Sequence, residues 1–213
     1  MIRVIRRAFR APGPPKTRPI PTPPPVTVGD PEVATLSRAV VLIGPMAAGK
    51  TSLGKRLARE LGISFVDSDA KIQQLHGPIT QIFERKGEDY FRDIEAAVVA
   101  SELARKGPRI LALGGGAVIR KSTRELLNNH PVILLMTTQT AVLKTANIQR
   151  RPLLKDDPSV WQKILDERKP LYESIADVTF RTDRYGQKQL TEDAAKWIKE
   201  WVKFNEVKTS EGL

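Results

Sequence analysis

Short runs of apolar residues alternate along this chain with longer amphipathic stretches. Ala194, Ile198 and Val202 recur on one face of the last amphipathic stretch, which indicates core packing. The short runs predict strands at residues 39–43, 64–66, 109–113, 131–136 and 178–180. The longer stretches predict helices at residues 51–62, at 79–106 with a break near Gly87, and at 190–204. Strands that alternate with crossover helices are typical of a parallel sheet, so the pattern predicts an α/β fold.

The beginning of the chain departs from this pattern. Residues 1–31 are basic and rich in proline, and they lack the apolar periodicity that a packed segment needs. We therefore expect a disordered arm over residues 1–35, one domain over 36–205 and a flexible tail over 206–213. The arginine-rich start could be an organellar transit peptide. It contains no serine, however, and its prolines would interrupt an amphipathic helix, which favours an uncleaved flexible extension or an early start codon.

The net charge of +11 is unevenly distributed over the 213 residues. Residues 1–30 carry six basic side chains and one acid, which leaves 29 basic and 23 acidic residues, a net charge of +6, for the remainder. This excess does not imply a nucleic-acid partner. The absence of cysteine excludes disulfides and Cys-ligated zinc. Since no apolar run approaches about 20 residues, we expect a soluble protein. We also expect a cytoplasmic monomer that binds neither membranes nor nucleic acid.

A glycine-rich segment, Gly44-Pro45-Met46-Ala47-Ala48-Gly49-Lys50-Thr51, follows the first predicted strand and opens the first helix. It fits G-x-x-x-x-G-K-[ST] at every fixed position, the pattern of a loop whose backbone amides bind a phosphate chain. Lys50 would contact the β- and γ-phosphates, and the Thr51 hydroxyl would ligate Mg²⁺. The nucleotide contacts are predicted at Gly44, Ala47, Ala48, Gly49, Lys50, Thr51 and Ser52. No N-K-x-D segment of a GTPase is present.

Two carboxylates, Asp67 and Asp69, stand at the end of the short second strand. Strand alternation would turn both toward the phosphate loop. One could hold a Mg²⁺ ion while the other accepts a hydroxyl proton or orients the hydroxyl for attack. The alternative is that Asp67, Ser68 or Asp69 caps the next helix, and both roles could coexist.

Basic residues and glycines follow in the second half of the chain. Arg92 and Glu95 share one helical face and could form a plain surface ion pair, and Arg168 is predicted near a helix end set by Pro170. Gly114, Gly115 and Gly116 follow the third long strand, where exposed backbone amides could bind a ligand or form a turn. The segment Arg150-Arg151-Pro152-Leu153-Leu154 is interpreted as part of a mobile lid over residues 147–160 whose arginine offsets charge on a transferring phosphoryl group.

In this order, the phosphate loop, Asp-x-Asp, Phe-Arg-x-x-Glu, Gly-Gly-Gly, Arg-Pro-Leu-Leu and Arg-x-Pro-x-Tyr resemble the shikimate kinase family from about residue 40 to residue 204. The resemblance implies a P-loop NTPase fold like that of nucleoside monophosphate kinases. Such a fold has three α/β/α layers with a central parallel sheet, a helical region that binds shikimate, and a lid. It also implies ATP as the cosubstrate and Mg²⁺ as the metal.

The resemblance assigns a role to each candidate residue. Asp67 and Thr51 would hold Mg²⁺, and Asp69 would contact the hydroxyl that becomes phosphorylated, with Lys50 and Arg151 as the other catalytic groups. Glu95 would hold Arg92 in place. The acceptor would contact Asp69, Arg92, Gly114, Gly115, Gly116 and Arg168, where two guanidinium groups suit a planar carboxylate.

Two residues depart from the family pattern, and both concern ATP. Ala47 stands at a loop position where the family usually has glycine, so the backbone there must accept a Cβ atom. Lys144 stands where members often carry an arginine that stacks on adenine, and lysine lacks the planar face for stacking.

The expected reaction is transfer of the γ-phosphate of ATP to the 3-hydroxyl of shikimate, giving shikimate 3-phosphate and ADP. Another small-metabolite kinase of the same superfamily, such as a gluconate kinase, would share the loop and the lid. A non-catalytic protein that binds nucleic acid through its basic arm is the alternative from a different class.

Overall fold

A computed structural model describes residues 31–145 and 159–210, in which five strands form one sheet. They are β1 (Ala39–Ile43), β2 (Ser64–Asp67), β3 (Arg109–Ala112), β4 (Val132–Met136) and β5 (Val178–Arg181). Their order is β2-β3-β1-β4-β5, and every neighbouring pair is parallel. Because β3 and β4 flank β1, the carboxyl end of β1 lies where the strand order changes direction. Ligands bind at this position in open α/β sheets.

Eight helices accompany the sheet in the described ranges. They are α1 (Pro31–Ala34), α2 (Lys50–Leu61), α3 (Ser68–His76), α4 (Ile79–Ala104), α5 (Lys121–Leu127), α6 (Gln139–Thr145), α7 (Ser159–Glu173) and α8 (Gln187–Ser210). The hydrophobic pattern does not predict α3, α5 or α6. These helices have only 9, 7 and 7 residues, too few turns for an apolar stripe to repeat. The predicted α/β/α arrangement is confirmed.

The apolar runs of the central strands divide between two cores. In β1, Val40 and Leu42 pack in one cluster with α2 and α8, whereas Val41 and Ile43 pack in the other with α4, α5 and α7. Consecutive side chains of a strand point to opposite faces, so a strand that is covered on both faces has to be apolar at every position. The predicted stripe on α8 is confirmed as core, since Ala194, Ile198 and Val202 are buried in the first cluster.

A smaller third cluster lies outside the sheet. Ile72 of α3 packs there with Ile82, Phe91 and Val98 of α4. The predicted break in α4 is present, because Gly87 has non-helical angles of φ 82° and ψ 174°. The helical region therefore has a core of its own beside the two sheet cores.

Two predicted boundaries differ from the structure. Residues 31–35 do not all belong to the arm, because Val33 is fully buried and packs in the first sheet core. Pro170 does not end its helix, since α7 continues to Glu173. A proline in the last turn forfeits one backbone hydrogen bond, and the buried Tyr172 holds that turn against the second core. Within the described residues, no helix is long and apolar enough to span a membrane.

Candidate functional site

The phosphate loop connects β1 to α2, as predicted. Gly44 has a φ of 133°, and a Cβ atom there would collide with the Leu135 carbonyl oxygen of β4, so the loop needs glycine at its first position. Gly49, with a φ of 88°, caps α2. The Lys50 ammonium donates to the carbonyl oxygens of Gly44 and Pro45, at 2.7 and 2.8 Å. These contacts hold the lysine charge over the loop and the amino end of α2.

Ala47 has a left-handed backbone conformation in the phosphate loop. Its φ is 63°, which makes it the one non-glycine residue with positive φ in residues 31–145 and 159–210. The left-handed region costs an L-residue with a Cβ atom about 1–2 kcal/mol. The sequence-based concern about a Cβ atom in this loop therefore corresponds to a strained residue in the structure.

One cavity, of about 320 Å³, opens beside the phosphate loop. Ala47, Ala48, Gly49, Ser52 and Lys144, all predicted nucleotide contacts, line part of it. The ends of β4 and β5 supply the opposite wall through Thr137, Thr182 and Asp183. Arg181 binds both oxygens of Asp183, at 2.8 and 2.7 Å. The sequence pattern does not single out this wall, because its residues follow strands without any recognisable motif.

Asp67 caps the next helix, as one of the two alternatives predicted, and it also contacts the phosphate loop. Its Oδ2 atom accepts a 2.6 Å hydrogen bond from the Thr51 hydroxyl. Its Oδ1 atom accepts from the backbone amides of Asp69 and Ala70, at 3.1 and 3.2 Å, and so caps α3. Two oxygen ligands from different elements are thus adjacent, and hard oxygen atoms are the ligands that Mg²⁺ prefers.

Asp69 reaches the site by a different route from the one predicted. It lies in the first turn of α3 and not on β2, so strand alternation is the wrong explanation for its direction. Burial, and secondarily the Asp67 charge, raise the pKa of Asp69, while Lys50 and Arg92 oppose the shift. An Asp69 carboxylate that holds a proton more tightly than usual is a better proton acceptor.

The three glycines after β3 allow close approach of the acidic and basic groups. A Cβ atom on Gly114 would collide with Asp69 Oδ1 and lie 2.8 Å from Glu95 Oε1. A Cβ atom on Gly116 would lie 2.5 Å from Cζ and Nη2 of Arg92. Charged side chains therefore leave no space for a Cβ atom on Gly114 or Gly116, whereas a Cβ atom on Gly115 would lie 3.3 Å from the Met46 backbone nitrogen.

Glu95 interacts with both predicted acceptor arginines, with Arg92 through a hydrogen bond and with Arg168 through its charge. Arg92 Nη1 donates to Glu95 Oε2 at 2.6 Å, and both side chains are buried. Burial raises the pKa of Glu95, while Arg92 and Arg168 lower it. By helical spacing alone the pair of Arg92 and Glu95 could be a plain surface pair, but it is buried. The charge of Arg168 in α7 acts on it from 73 residues further along the chain than Glu95.

A sequence model of the shikimate kinase family matches residues 46–199. The shikimate kinase of Vibrio cholerae is 36% identical over 170 residues, which cover 78% of this chain and 97% of that protein. The chain belongs to the shikimate kinase family. A solved shikimate kinase from Acinetobacter baumannii, in complex with shikimate, superposes with a TM-score of 0.71 at 35% identity, covering 78% of this chain and 94% of the other.

A gluconokinase structure from Sinorhizobium meliloti shares the fold but not the sequence. It has a TM-score of 0.58 at 17% identity and covers 81% of this chain and 98% of the other. This likeness indicates only that the P-loop kinase fold is common to the two proteins. The residues that contact the acceptor, and not the fold, therefore have to distinguish a shikimate kinase from a gluconate kinase.

Two side chains of α7 support the loops of this shikimate kinase fold: Trp161, which the sequence pattern does not indicate, and Tyr172, the last residue of the Arg-x-Pro-x-Tyr motif. Trp161 is buried, and its Nε1–H donates to the Met46 carbonyl oxygen of the phosphate loop at 3.1 Å. The Tyr172 hydroxyl donates to the Gly115 carbonyl oxygen, and burial, partly offset by Arg168, raises the Tyr172 pKa to about 12. A buried aromatic with a polar tip is recognisable only from what it touches. The predicted lid arginine, Arg151, lies outside the described residues.

Proposed function

We propose that this chain phosphorylates the 3-hydroxyl of shikimate with ATP. Membership of the shikimate kinase family supports the reaction. The structural observation that carries it is the approach of Asp69 to Gly114 and of Arg92 to Gly116. A carboxylate and a guanidinium group at the two ends of one short loop match an acceptor with a hydroxyl at one end and a carboxylate at the other.

The proposed reaction is an in-line displacement. The acceptor hydroxyl oxygen forms a bond to the γ-phosphorus of ATP as the bond from that phosphorus to the bridging oxygen breaks, and ADP leaves. Asp69 accepts the hydroxyl proton. Lys50 stabilises charge on the phosphates, and Arg151 of the predicted lid would do the same.

The oxygen atoms of Thr51 and Asp67 would hold Mg²⁺, since the two are hydrogen-bonded at 2.6 Å and both are hard ligands. When bound, the metal offsets charge on the phosphates. Asp67 also caps α3 through two backbone amides, which keeps its carboxylate in place beside the loop. Because Asp69 lies in the turn that Asp67 caps, Asp67 would couple the orientation of Asp69 to the position of the metal.

The acceptor carboxylate would bind Arg92 and Arg168 and the backbone of Gly115 and Gly116. Glu95 lies behind Arg92 and keeps its guanidinium group in place. ATP would occupy the cavity beside the phosphate loop, with Lys144 at its rim. We also propose that residues 1–30 take no part in catalysis and that the domain works as a cytoplasmic monomer without a nucleic-acid partner.

A coupled assay of ADP release tests the function. Purified protein with ATP and Mg²⁺ is expected to release ADP when shikimate is added and to release little with gluconate or without an acceptor. Equal rates with and without shikimate would refute the proposal, and turnover with gluconate alone would favour the other kinase.

Asp69→Asn tests the assigned proton acceptor. We expect turnover to fall by about 10²–10⁴-fold while ATP still binds, because general bases contribute factors of this size. Asp166→Asn removes an exposed carboxylate of α7 and serves as the matched control. Rates near wild type in the Asp69 variant would remove the role given to this residue.

A further inference from the structure

Three sides of the Arg92 guanidinium group are occupied in the described structure. Nη1 donates to Glu95 Oε2 at 2.6 Å. The part formed by Nη1, Cζ and Nη2 lies against Gly116, where there is no room even for a Cβ atom. The remaining pair of donors, Nε and Nη2, both donate to one oxygen of Glu88, Oε1, at 3.2 and 2.8 Å.

The Glu88 contact uses the edge of Arg92 that is best suited to an acceptor. Nε and Nη2 present two parallel N–H bonds, the geometry with which arginine binds a carboxylate through two hydrogen bonds. Glu88 accepts both hydrogen bonds with a single oxygen, so the contact is weaker than the two-oxygen pairing that a free carboxylate could make with the same donors. A second carboxylate could not share the edge, because two like charges would then compete for the same donors.

The two glutamates that flank Arg92 differ in their exposure to solvent. The Glu95 side chain is 3% exposed and lies beneath the arginine, whereas the Glu88 side chain is 59% exposed. Glu88 also follows Gly87 directly, at the break in α4. Glu88 can therefore turn into water at little cost, because an exposed carboxylate is solvated wherever it points. Glu95 has no such alternative.

We propose that Glu88 is an internal competitor for Arg92 that the acceptor carboxylate displaces on binding. This inference rests on the acceptor role proposed for Arg92. While no acceptor is bound, Glu88 compensates the arginine charge and occupies its Nε and Nη2 edge. An acceptor gains this edge only if its own carboxylate binds better than Glu88, so Glu88 raises the acceptor concentration required and discriminates against uncharged analogues.

Glu88→Gln and Glu88→Ala test the proposal, since the first keeps the shape of the side chain and both remove its charge. We expect the shikimate KM, and the shikimate dissociation constant measured by calorimetry without ATP, to fall by about two- to fivefold, the range for an exposed ion pair. The kcat and the ATP KM should stay within twofold of wild type. Glu84→Gln, at an exposed glutamate of the same helix, should change none of these values.

An uncharged acceptor separates competition from a general change in the site. With the methyl ester of shikimate, which cannot displace Glu88 by charge, the KM values of wild type and Glu88→Gln should agree within twofold. Glu95→Gln should do the opposite of Glu88→Gln and raise the shikimate KM, because it removes the support behind Arg92.

Three results would overturn the proposal. These are a shikimate KM and dissociation constant that rise in Glu88→Gln, values that do not change, and an equal decrease for the ester. Failure of the proposed function is a different outcome, namely no shikimate-dependent ADP release by wild type. Calorimetric binding still reports on Glu88 in that case, because it requires no phosphoryl transfer. Absence of shikimate binding by wild type as well would refute both proposals.

Discussion

Gly116→Ala adds a single methyl group that should displace Arg92, the arginine proposed to bind the acceptor carboxylate. The φ of Gly116 lies outside the left-handed region, so an alanine backbone fits there without strain. The new Cβ atom would lie 2.5 Å from Cζ and Nη2 of Arg92, whereas ordinary contacts begin near 3.4 Å. Arg92 must therefore move by about an ångström or more.

The surroundings of Arg92 leave little space for that movement. Its residue surface is 8% exposed, and the buried Glu95 holds Nη1 from behind. The guanidinium group has to leave its place, and the acceptor carboxylate then loses a charged hydrogen-bond partner worth about 1.5–3 kcal/mol. At about 1.4 kcal/mol for each tenfold change, the shikimate KM should rise by about 10- to 100-fold. The ATP KM should stay within about twofold, because the three atoms nearest to the new methyl group all belong to Arg92 and none to the phosphate loop.

Steady-state kinetics with each substrate varied in turn measures the effect. Gly186→Ala is the matched control, since a Cβ atom there meets nothing within 4 Å and its φ also lies outside the left-handed region. Thermal unfolding of both variants shows whether the folds are intact. A shikimate KM within twofold of wild type in Gly116→Ala, or an equal rise in the ATP KM, would refute the reasoning.

Three further substitutions test other parts of the structure. Ala47→Gly relieves about 1–2 kcal/mol of left-handed strain and adds about 0.4–1 kcal/mol of chain entropy to the unfolded state, so the free energy of unfolding in urea should rise by up to about 1.5 kcal/mol; a clear decrease would contradict the strain. Trp161→Phe removes the hydrogen bond to the Met46 carbonyl and should cost about 1–3 kcal/mol of stability and raise the ATP KM with little change in the shikimate KM; equal effects on both constants would argue against a role at the phosphate loop. Burial lowers the pKa of His130 below its usual 6.5, although a 3.2 Å contact with the Ala39 carbonyl oxygen opposes the shift. As the pH falls through 6.5 the unfolded chain gains a proton that the folded protein resists, so stability decreases, and thermal unfolding at pH 7.5 and 5.5 should show a smaller decrease for His130→Asn than for wild type; an equal decrease would exclude His130 as the cause.

Much of the fold was predictable because the relevant signals are local. The run Ala39–Ile43 is apolar at every position, and the structure covers both of its faces. The phosphate loop has a fixed spacing because a backbone that wraps phosphate needs glycine at particular positions, and Gly44 and Gly49 have the positive φ values that this implies. The break at Gly87 was also predictable, because glycine readily adopts the positive φ that interrupts a helix.

The two errors in the site have other causes. Asp69 belongs to α3 and not to β2, and a helix of 9 residues has too few turns to leave a pattern. Pro170 lies inside α7 because the packing of Tyr172 outweighs one missing backbone hydrogen bond, which a local rule about proline does not include.

The sequence by itself determined the chemical inventory of this protein: a phosphate loop, two carboxylates, two arginines and three glycines in a fixed order. Only the tertiary structure decided which of these groups interact. It brought Arg168 of α7 close enough to Glu95 of α4 for its charge to lower the pKa of that carboxyl, made the pair of Arg92 and Glu95 a buried one, and placed Glu88 on the open edge of Arg92. Order along the chain depends on covalent bonds and local propensity, whereas contact between distant side chains depends on how helices pack on the sheet.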